Sequence, residues 1–222
     1  MNLEKMKVRL LITDDHDVVR QGLRLYLKRD PQIEIVGEAA DGEEAVELAR
    51  SLRPDVVLMD LLMPKMDGIA ATEAIRAELS EVEVVALTSV LEDAAVSGAI
   101  RAGAIGYLLK DTKADALCRA IKGAAAGQVQ LAPEAALRLM REVRVPESPE
   151  MLTERETEVL KRVARGQANK EIARTLFVEE RTVKSHVTSI LKKLGVKSRT
   201  QAALHAVRSN LVTVDELSEE SW

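Results

Sequence analysis

The stretch VVLMDLLMP, Val56–Pro64, decides the fold. Four apolar residues run into Asp60, and three more lead on to Pro64. An ionised carboxylate is costly to bury unless it is paired or coordinated. The run therefore reads as a strand buried on both faces, carrying Asp60 to its exposed end. Similar short runs occur at Val8–Thr13, Ile33–Glu38, Val82–Leu87 and Gly106–Leu109. Helical stretches lie between them, such as GEEAVELARSL, which places Ala45, Val46, Leu48, Ala49 and Leu52 on or near one face. A second is KADALCRAIKGAAAG, Lys113–Gly127. Strand and helix alternate five times, which predicts a doubly wound, five-stranded parallel α/β sheet with helices on both faces.

Working outward, the charge divides the 222 residues. Residues 1–128 carry a net charge of −6 and residues 151–210 a net +7. Two domains with different partners are expected, the second a candidate for nucleic acid. Residues 129–150 read as a linker with a short helix near Pro133, and residues 211–222 as an acidic tail. Cys118 is the single cysteine, which excludes an intrachain disulfide framework and fits a reducing cytosol. No apolar run approaches membrane-spanning length, and MNLEKMKVRLLITDD reads as a strand rather than a leader, so a cytoplasmic protein is expected.

In an open parallel sheet, ligands bind beyond the carboxyl ends of the strands. The first run ends in Asp14 and Asp15, the third in Asp60, the fourth in Thr88 and the fifth in Lys110. Close carboxylates repel, and a divalent cation with oxygen ligands is the physical remedy; Mg²⁺ suits few carboxylates plus phosphate oxygens. Asp60 is then a candidate nucleophile toward a phosphoryl group, with Lys110 and Thr88 to receive its oxygens. Acids after strands also serve as helix caps, but four strand ends each supplying a suitable group are not easily accidental.

Asp14-Asp15, MDLLMPKMDG around Asp60, LTS at Thr88 and GYLLKD at Lys110 resemble the receiver domain of bacterial two-component response regulators, a flavodoxin-like fold. The resemblance spans about residues 6–127. It implies Asp60 as phosphoacceptor and Asp14, Asp15, Asp60 and the Leu62 carbonyl as Mg²⁺ ligands. It implies Thr88 and Tyr107 as a switch pair, Lys110 as the phosphate-binding lysine, and Pro64 and Gly68 as shapers of the loop after the nucleophile. Two positions depart from the pattern. Asp111 stands where many receivers have proline, and the Leu62 side chain cannot activate a water.

The basic part is helical throughout. Thr153 and Glu156 form a T-x-x-E capping box, and Gly166 ends the first helix. A second helix begins near Asn169, and a third runs from about Glu180 to Leu194, closed by Gly195. Two helices joined by a tight turn read as helix-turn-helix. In the third helix Val183, Val187, Ile190, Leu191 and Leu194 share one face. Arg181, Ser185, Thr188 and Lys192 lie opposite, with Lys184 and Ser189 beside them, a face suited to a major groove. Lys192, Lys193, Lys197 and Arg199 extend the positive stripe toward phosphates.

LTERETEVL, NKEIA and RTVKSHVTSILKKLGVKSR resemble the LuxR-type DNA-binding domain of NarL/FixJ regulators, over about residues 150–210. By that resemblance Lys184, Ser185 and Thr188 face bases, while Arg181, Thr182, Lys192 and Lys193 serve the backbone. Glu179 stands where the family often has serine. The last helix, about Ser198–Ser209, resembles a dimerisation helix, though its apolar run also suits packing within one chain.

Together these readings predict a transcriptional regulator, not an enzyme. A partner histidine kinase would phosphorylate Asp60 with Mg²⁺, changing interdomain contacts or dimerisation and hence promoter binding. Double-stranded DNA with two half-sites and a phosphorylated homodimer are expected, with RNA polymerase a possible further partner. One rival is a phosphohydrolase of the haloacid-dehalogenase kind, for which Asp15-His16-Asp17 would mimic D-x-D. Another is a regulator that binds DNA without phosphorylation.

Overall fold

The computed structural model describes residues 7–89, 93–131, 152–209 and 211–212. The first unit alternates β1 (Val8–Thr13), α1 (Asp17–Leu27), β2 (Ile33–Ala39), α2 (Gly42–Leu52), β3 (Val56–Met59) and α3 (Gly68–Glu78). It continues with β4 (Glu83–Thr88), α4 (Asp93–Ala102), β5 (Gly106–Leu109), α5 (Ala114–Ala125) and β6 (Gln130–Leu131). Every pairing is parallel, in the order β2-β1-β3-β4-β5-β6. The sheet thus has six strands rather than the expected five. Gln130–Leu131 pairs with Gly106 and Tyr107, so the expected linker begins with a two-residue edge strand. Such a strand is too short to show a period. The short helix expected near Pro133 and the acidic tail lie outside the described residues.

Strand side chains alternate between faces. Leu10, Ile12, Val56, Leu58, Val85 and Leu87 pack against Leu27 of α1 and Leu117, Ala120, Ile121 and Ala124 of α5. Leu11, Val57, Met59 and Val84 pack on the other face against Ala45, Val46 and Ala49 of α2 and Ala71 and Ile75 of α3. All four residues of β3 are buried, which explains its unbroken apolar character.

The register brings the chemistry to one edge. Thr13 pairs with Met59 and Thr88 with Leu109. The next residues, Asp60 and Lys110, hang their backbone N–H groups on the carbonyls of Thr13 (2.9 Å) and Thr88 (2.8 Å). Gly68 opens α3 directly beneath this edge; a Cβ there would lie 1.9 Å from the Asp60 carbonyl oxygen, so only glycine fits.

The second unit is α6 (Glu154–Ala164), α7 (Asn169–Leu176), α8 (Glu180–Leu194) and α9 (Arg199–Arg208). Its own core joins Val159, Leu160 and Val163 to Ile172, Leu176, Val183, Ile190, Leu194, Ala202 and Ala206. The capping box forms as the sequence predicts: the Thr153 hydroxyl accepts from Glu156 N, and the Glu156 carboxylate accepts from Thr153 N. Glu171 likewise accepts from Ala168 N at the start of α7. Gly195 ends α8 at φ 64, in the left-handed region.

The two units touch at the amino-terminal edge of the sheet. The buried Thr200 hydroxyl donates to the Ile105 carbonyl at 3.1 Å, just before β5. Asn169 N, the first residue of α7, donates to the Ala126 carbonyl after α5 at 3.3 Å. Leu204 of α9 enters the apolar cluster of Val96, Ala99, Ile100, Ala104 and Tyr107. Lys197 pairs with Glu73 at 2.5 Å, both exposed. The buried Arg199 donates to Asn169 Oδ1 (2.8 Å) and the Gln167 carbonyl (2.7 Å), and burial lowers its pKa to about 10. Gly127, at φ +76, lies where a Cβ would meet the Asn169 side chain at 2.7 Å. The last helix is thus packed within the chain, one of the two readings its sequence left open.

Candidate phosphoryl-transfer site and nucleic-acid interface

At the carboxyl edge the structure brings Asp14, Asp15, Asp60 and Lys110 together. Lys110 Nζ lies 2.6 Å from Asp14 Oδ2 and 2.7 Å from Asp60 Oδ2. Asp14 and Asp60 are buried, whereas Asp15 is partly open to solvent. Burial pushes the Asp60 carboxyl above the usual range; the Lys110 hydrogen bond and charge oppose this, and the Asp14 charge adds to it. Burial also works against the Lys110 charge, but hydrogen bonds to Asp14 and Asp60 outweigh it and hold its pKa above normal. The site is therefore a compensated charge cluster in a low-polarity edge, where electrostatic interactions are strong.

Donor atoms of Asp14, Asp15, His16 and Asp60 all lie within 4.8 Å of one another. Converging hard carboxylate oxygens fit a divalent cation such as Mg²⁺. Leu62 N donates to Asp60 Oδ1 at 3.4 Å, and the Leu62 side chain stands in solvent. Thr88 is buried at the end of β4. Tyr107 is fully buried in β5, its ring in the cluster that also receives Leu204. His16 is the member of the cluster that sequence reasoning did not assign; its signal was its place directly after Asp14-Asp15.

In the second unit, α8 presents Arg181, Thr182, Lys184, Ser185, Thr188 and Lys192 to solvent. Ser185 and Thr188 hydroxyls donate to carbonyls one turn back, at Arg181 and Lys184. Val183, Ile190 and Leu194 are buried on the opposite side. Lys193 is placed differently from its expected backbone role. Its ammonium turns inward to the buried Glu156 at 2.7 Å, and Ser189 donates to the other Glu156 oxygen at 2.7 Å. The Lys193 and Ser189 hydrogen bonds, with those of Thr153, draw the Glu156 pKa down to about 2. Glu156 thus ties α8 to α6 and sets the angle of the exposed face. Glu179 makes no side-chain cap, as its replacement of serine predicts.

Lys184 lies within electrostatic reach of Glu83, at the start of β4. Burial pushes the Glu83 carboxyl up, while Arg76, Arg199 and Lys184 pull it down. The amino-terminal edge of the sheet therefore faces cations of the second unit.

A doubly wound sheet with an Asp–Asp–Lys cluster at its carboxyl edge, followed by a basic helix-turn-helix, defines a phosphorylation-type receiver joined to a DNA reader. Residues 10–122 match the family described as response regulator receiver domain, and residues 150–206 that of bacterial regulatory proteins, luxR family. The chain is 46% identical over 211 residues to the transcriptional regulatory protein LiaR of Bacillus subtilis, covering 92% of this chain and 99% of that one. It is 42% identical over 208 residues to the response regulator protein VraR of Staphylococcus aureus, covering 93% and 100%. Among solved structures it resembles the response regulator ChrA of a heme-sensing two-component system, with TM-score 0.53, 39% identity and 93% and 99% coverage. It also resembles RcsB in a structure of two RcsB dimers bound to two parallel DNAs, with TM-score 0.55, 26% identity and 93% and 100% coverage. The chain belongs to the NarL/FixJ-type (LuxR) family of two-component response regulators. It is a DNA-binding regulator rather than a phosphohydrolase. Among the described residues no helix is long and apolar enough to cross a membrane.

Proposed function

We propose that Asp60 accepts a phosphoryl group from a partner histidine kinase and that this changes how the reader is held. The observation that carries the proposal is Lys110, bridging Asp14 and Asp60 within 2.7 Å at the same edge as Asp15 and Thr88. An Asp60 oxygen attacks phosphorus in line, the phosphorus–nitrogen bond to the kinase imidazole breaks, and the imidazole leaves. Asp14, Asp15, Asp60 and the Leu62 carbonyl would hold Mg²⁺, which neutralises charge between carboxylates and phosphoryl oxygens when bound. Lys110 exchanges a carboxylate partner for a phosphoryl oxygen, and the Thr88 hydroxyl closes on another.

The output follows from the packing. β5 carries Lys110 just beyond one end and the Ile105 carbonyl just before the other, with Tyr107 between them against Leu204. A shift of Lys110, Thr88 and Tyr107 therefore disturbs the seat of Thr200 and Leu204. In the seated state Lys184 pairs with Glu180 at 3.8 Å and lies within electrostatic reach of Glu83. Phosphorylation shifts a two-state equilibrium toward a released reader. The released form binds two half-sites as a homodimer in the cytoplasm, where RNA polymerase can be engaged; the DNA-bound RcsB dimers support this assembly. Arg181, Thr182 and Lys192 serve phosphates, while Lys184, Ser185 and Thr188 read base edges.

The test is promoter binding by the full chain, followed by fluorescence anisotropy with Mg²⁺ and a small phosphodonor. Tighter binding after treatment of the wild type, and no response in Asp60→Asn, is expected. An equal response in both proteins would overturn the proposal.

A further inference from the structure

The loop that follows the nucleophile, residues 61–67, is closed at its ends, where Gly68 N donates to the Leu61 carbonyl at 3.0 Å. Its middle is open. Leu62, Pro64 and Lys65 are exposed, and Met63 and Met66 are only partly buried against the α2–α3 side of the sheet. Segments with few buried apolar contacts open locally at little cost. Two contacts tie this middle to the start of α2. Gly42 N donates to the Met66 carbonyl at 3.2 Å, and a Cβ on Gly42 would lie 2.5 Å from that oxygen. Lys65 Nζ pairs with Asp41 Oδ2 at 2.5 Å. Strand β1 lies between β2 and β3, so both contacts join the turns on either side of the strand that ends in Asp14-Asp15.

Lys65 holds a conformation that its residue type disfavours. Its φ is 62, in the left-handed region where a Cβ crowds the following carbonyl. Such strain persists where surrounding contacts over-determine it, and it collects at functional sites. Exposed ion pairs gain little when two side chains must both be ordered. Here Asp41 is buried and already fixed, because its Oδ1 accepts from Glu44 N at 2.9 Å and caps α2. The Glu44 N–H and the Lys65 ammonium hold the Asp41 carboxyl below the usual range, so the acid stays ionised toward the lysine. On the inner side of the loop, Leu62 N reaches Asp60 Oδ1 over 3.4 Å, a long bond that a small loop movement breaks. We propose that Lys65 is a positioning residue for phosphoryl transfer: its ion pair with Asp41 holds the loop so that the Leu62 main chain stays at the Asp60 carboxylate. This rests on the reading of Asp60 as the phosphoacceptor. The strained backbone and the pair belong together, since the pair keeps the loop in a conformation that it would otherwise leave.

The test measures the rate at which acetyl phosphate labels Asp60 in the full chain at saturating Mg²⁺, beside the melting temperature of each variant. Lys65→Met removes the ammonium. Asp41→Asn keeps an oxygen to cap α2 but turns an uncharged amide toward the lysine. Each should label about tenfold more slowly, since small misplacements at a reacting group are costly. The double variant should be no slower than either single one, because both remove the same contact. Lys65→Arg, which keeps the charge, should recover most of the wild-type rate. Lys65→Gly relieves the backbone strain, so it should label as slowly as Lys65→Met while melting at or above the wild-type temperature. Labelling of Lys65→Met at the wild-type rate would overturn the proposal, as would Lys65→Arg as slow as Lys65→Met. A double variant slowed by the product of the single losses would overturn it too, and so would a slow Lys65→Gly that melts lower than the wild type. Absence of any Asp60 labelling in the wild type would instead overturn the underlying reading of the phosphoacceptor, and this inference with it.

Discussion

Thr200→Val is the sharpest perturbation of the seat between the two units. Thr200 is fully buried, and its hydroxyl donates to the Ile105 carbonyl at 3.1 Å, with the Ala104 carbonyl at 3.4 Å. Valine keeps the shape and removes the donor, while the Ile105 carbonyl still accepts from Gln130 N at 3.1 Å. A net hydrogen bond is worth about 1 kcal/mol. The seated state should therefore lose about 1 kcal/mol relative to the released state. When only a fraction of the chain is competent, apparent affinity scales with that fraction. Unphosphorylated Thr200→Val should then bind promoter DNA roughly fivefold more tightly than the wild type. Thr200→Ser, which keeps a hydroxyl, should fall much nearer the wild type. Anisotropy titrations at fixed salt read the effect, because phosphate contacts make affinity salt-dependent. An unchanged affinity in a folded Thr200→Val protein would refute the coupling of the seat to DNA binding.

Three further outcomes follow from single side chains. Glu156 has its pKa drawn from 4.5 to about 2, so it stabilises the reader above the unfolded value and that stability is lost as pH falls toward 2. At 1.36 kcal/mol per unit this is up to about 3 kcal/mol at neutral pH, and denaturation of Glu156→Gln should show that deficit at pH 7 and its shrinkage below pH 4. Gly68→Ala should cost about 1–3 kcal/mol by overpacking against the Asp60 carbonyl, read as a lower melting temperature of the receiver. Phe177 sits at φ 55 between α7 and α8 with its ring in solvent; Phe177→Gly should stabilise the reader by about 1 kcal/mol in thermal unfolding, because left-handed backbone costs side-chain-bearing residues about 1–2 kcal/mol.

Much of this was legible in the sequence for local reasons. Val56–Met59 reads as a strand because burial on both faces demands an unbroken apolar run. Asp14, Asp60 and Lys110 read as neighbours because parallel strands end at one edge. Helix α8 and its glycine stop were legible because periodicity and capping are local. What the sequence hid depends on tertiary partners. Lys193 looks like one more cation on a positive stripe, and only the packing of α6 on α8 supplies Glu156 to turn it inward. Leu204 suits a dimer contact or a chain contact equally well until Tyr107 and Val96 are seen beside it. The two residues of β6 are too short for any pattern, and their strand character comes from the β5 edge they join.

The central claim is that Asp60 carries the phosphoryl group. Treating the full chain with a small phosphodonor and Mg²⁺, then reducing with borohydride, converts an acyl phosphate to homoserine at the modified position. Peptide sequencing by mass spectrometry should find homoserine at position 60, dependent on Mg²⁺ and absent from Asp60→Asn. Homoserine at position 14 or 15 instead, or none at position 60 in the wild type, would contradict the account.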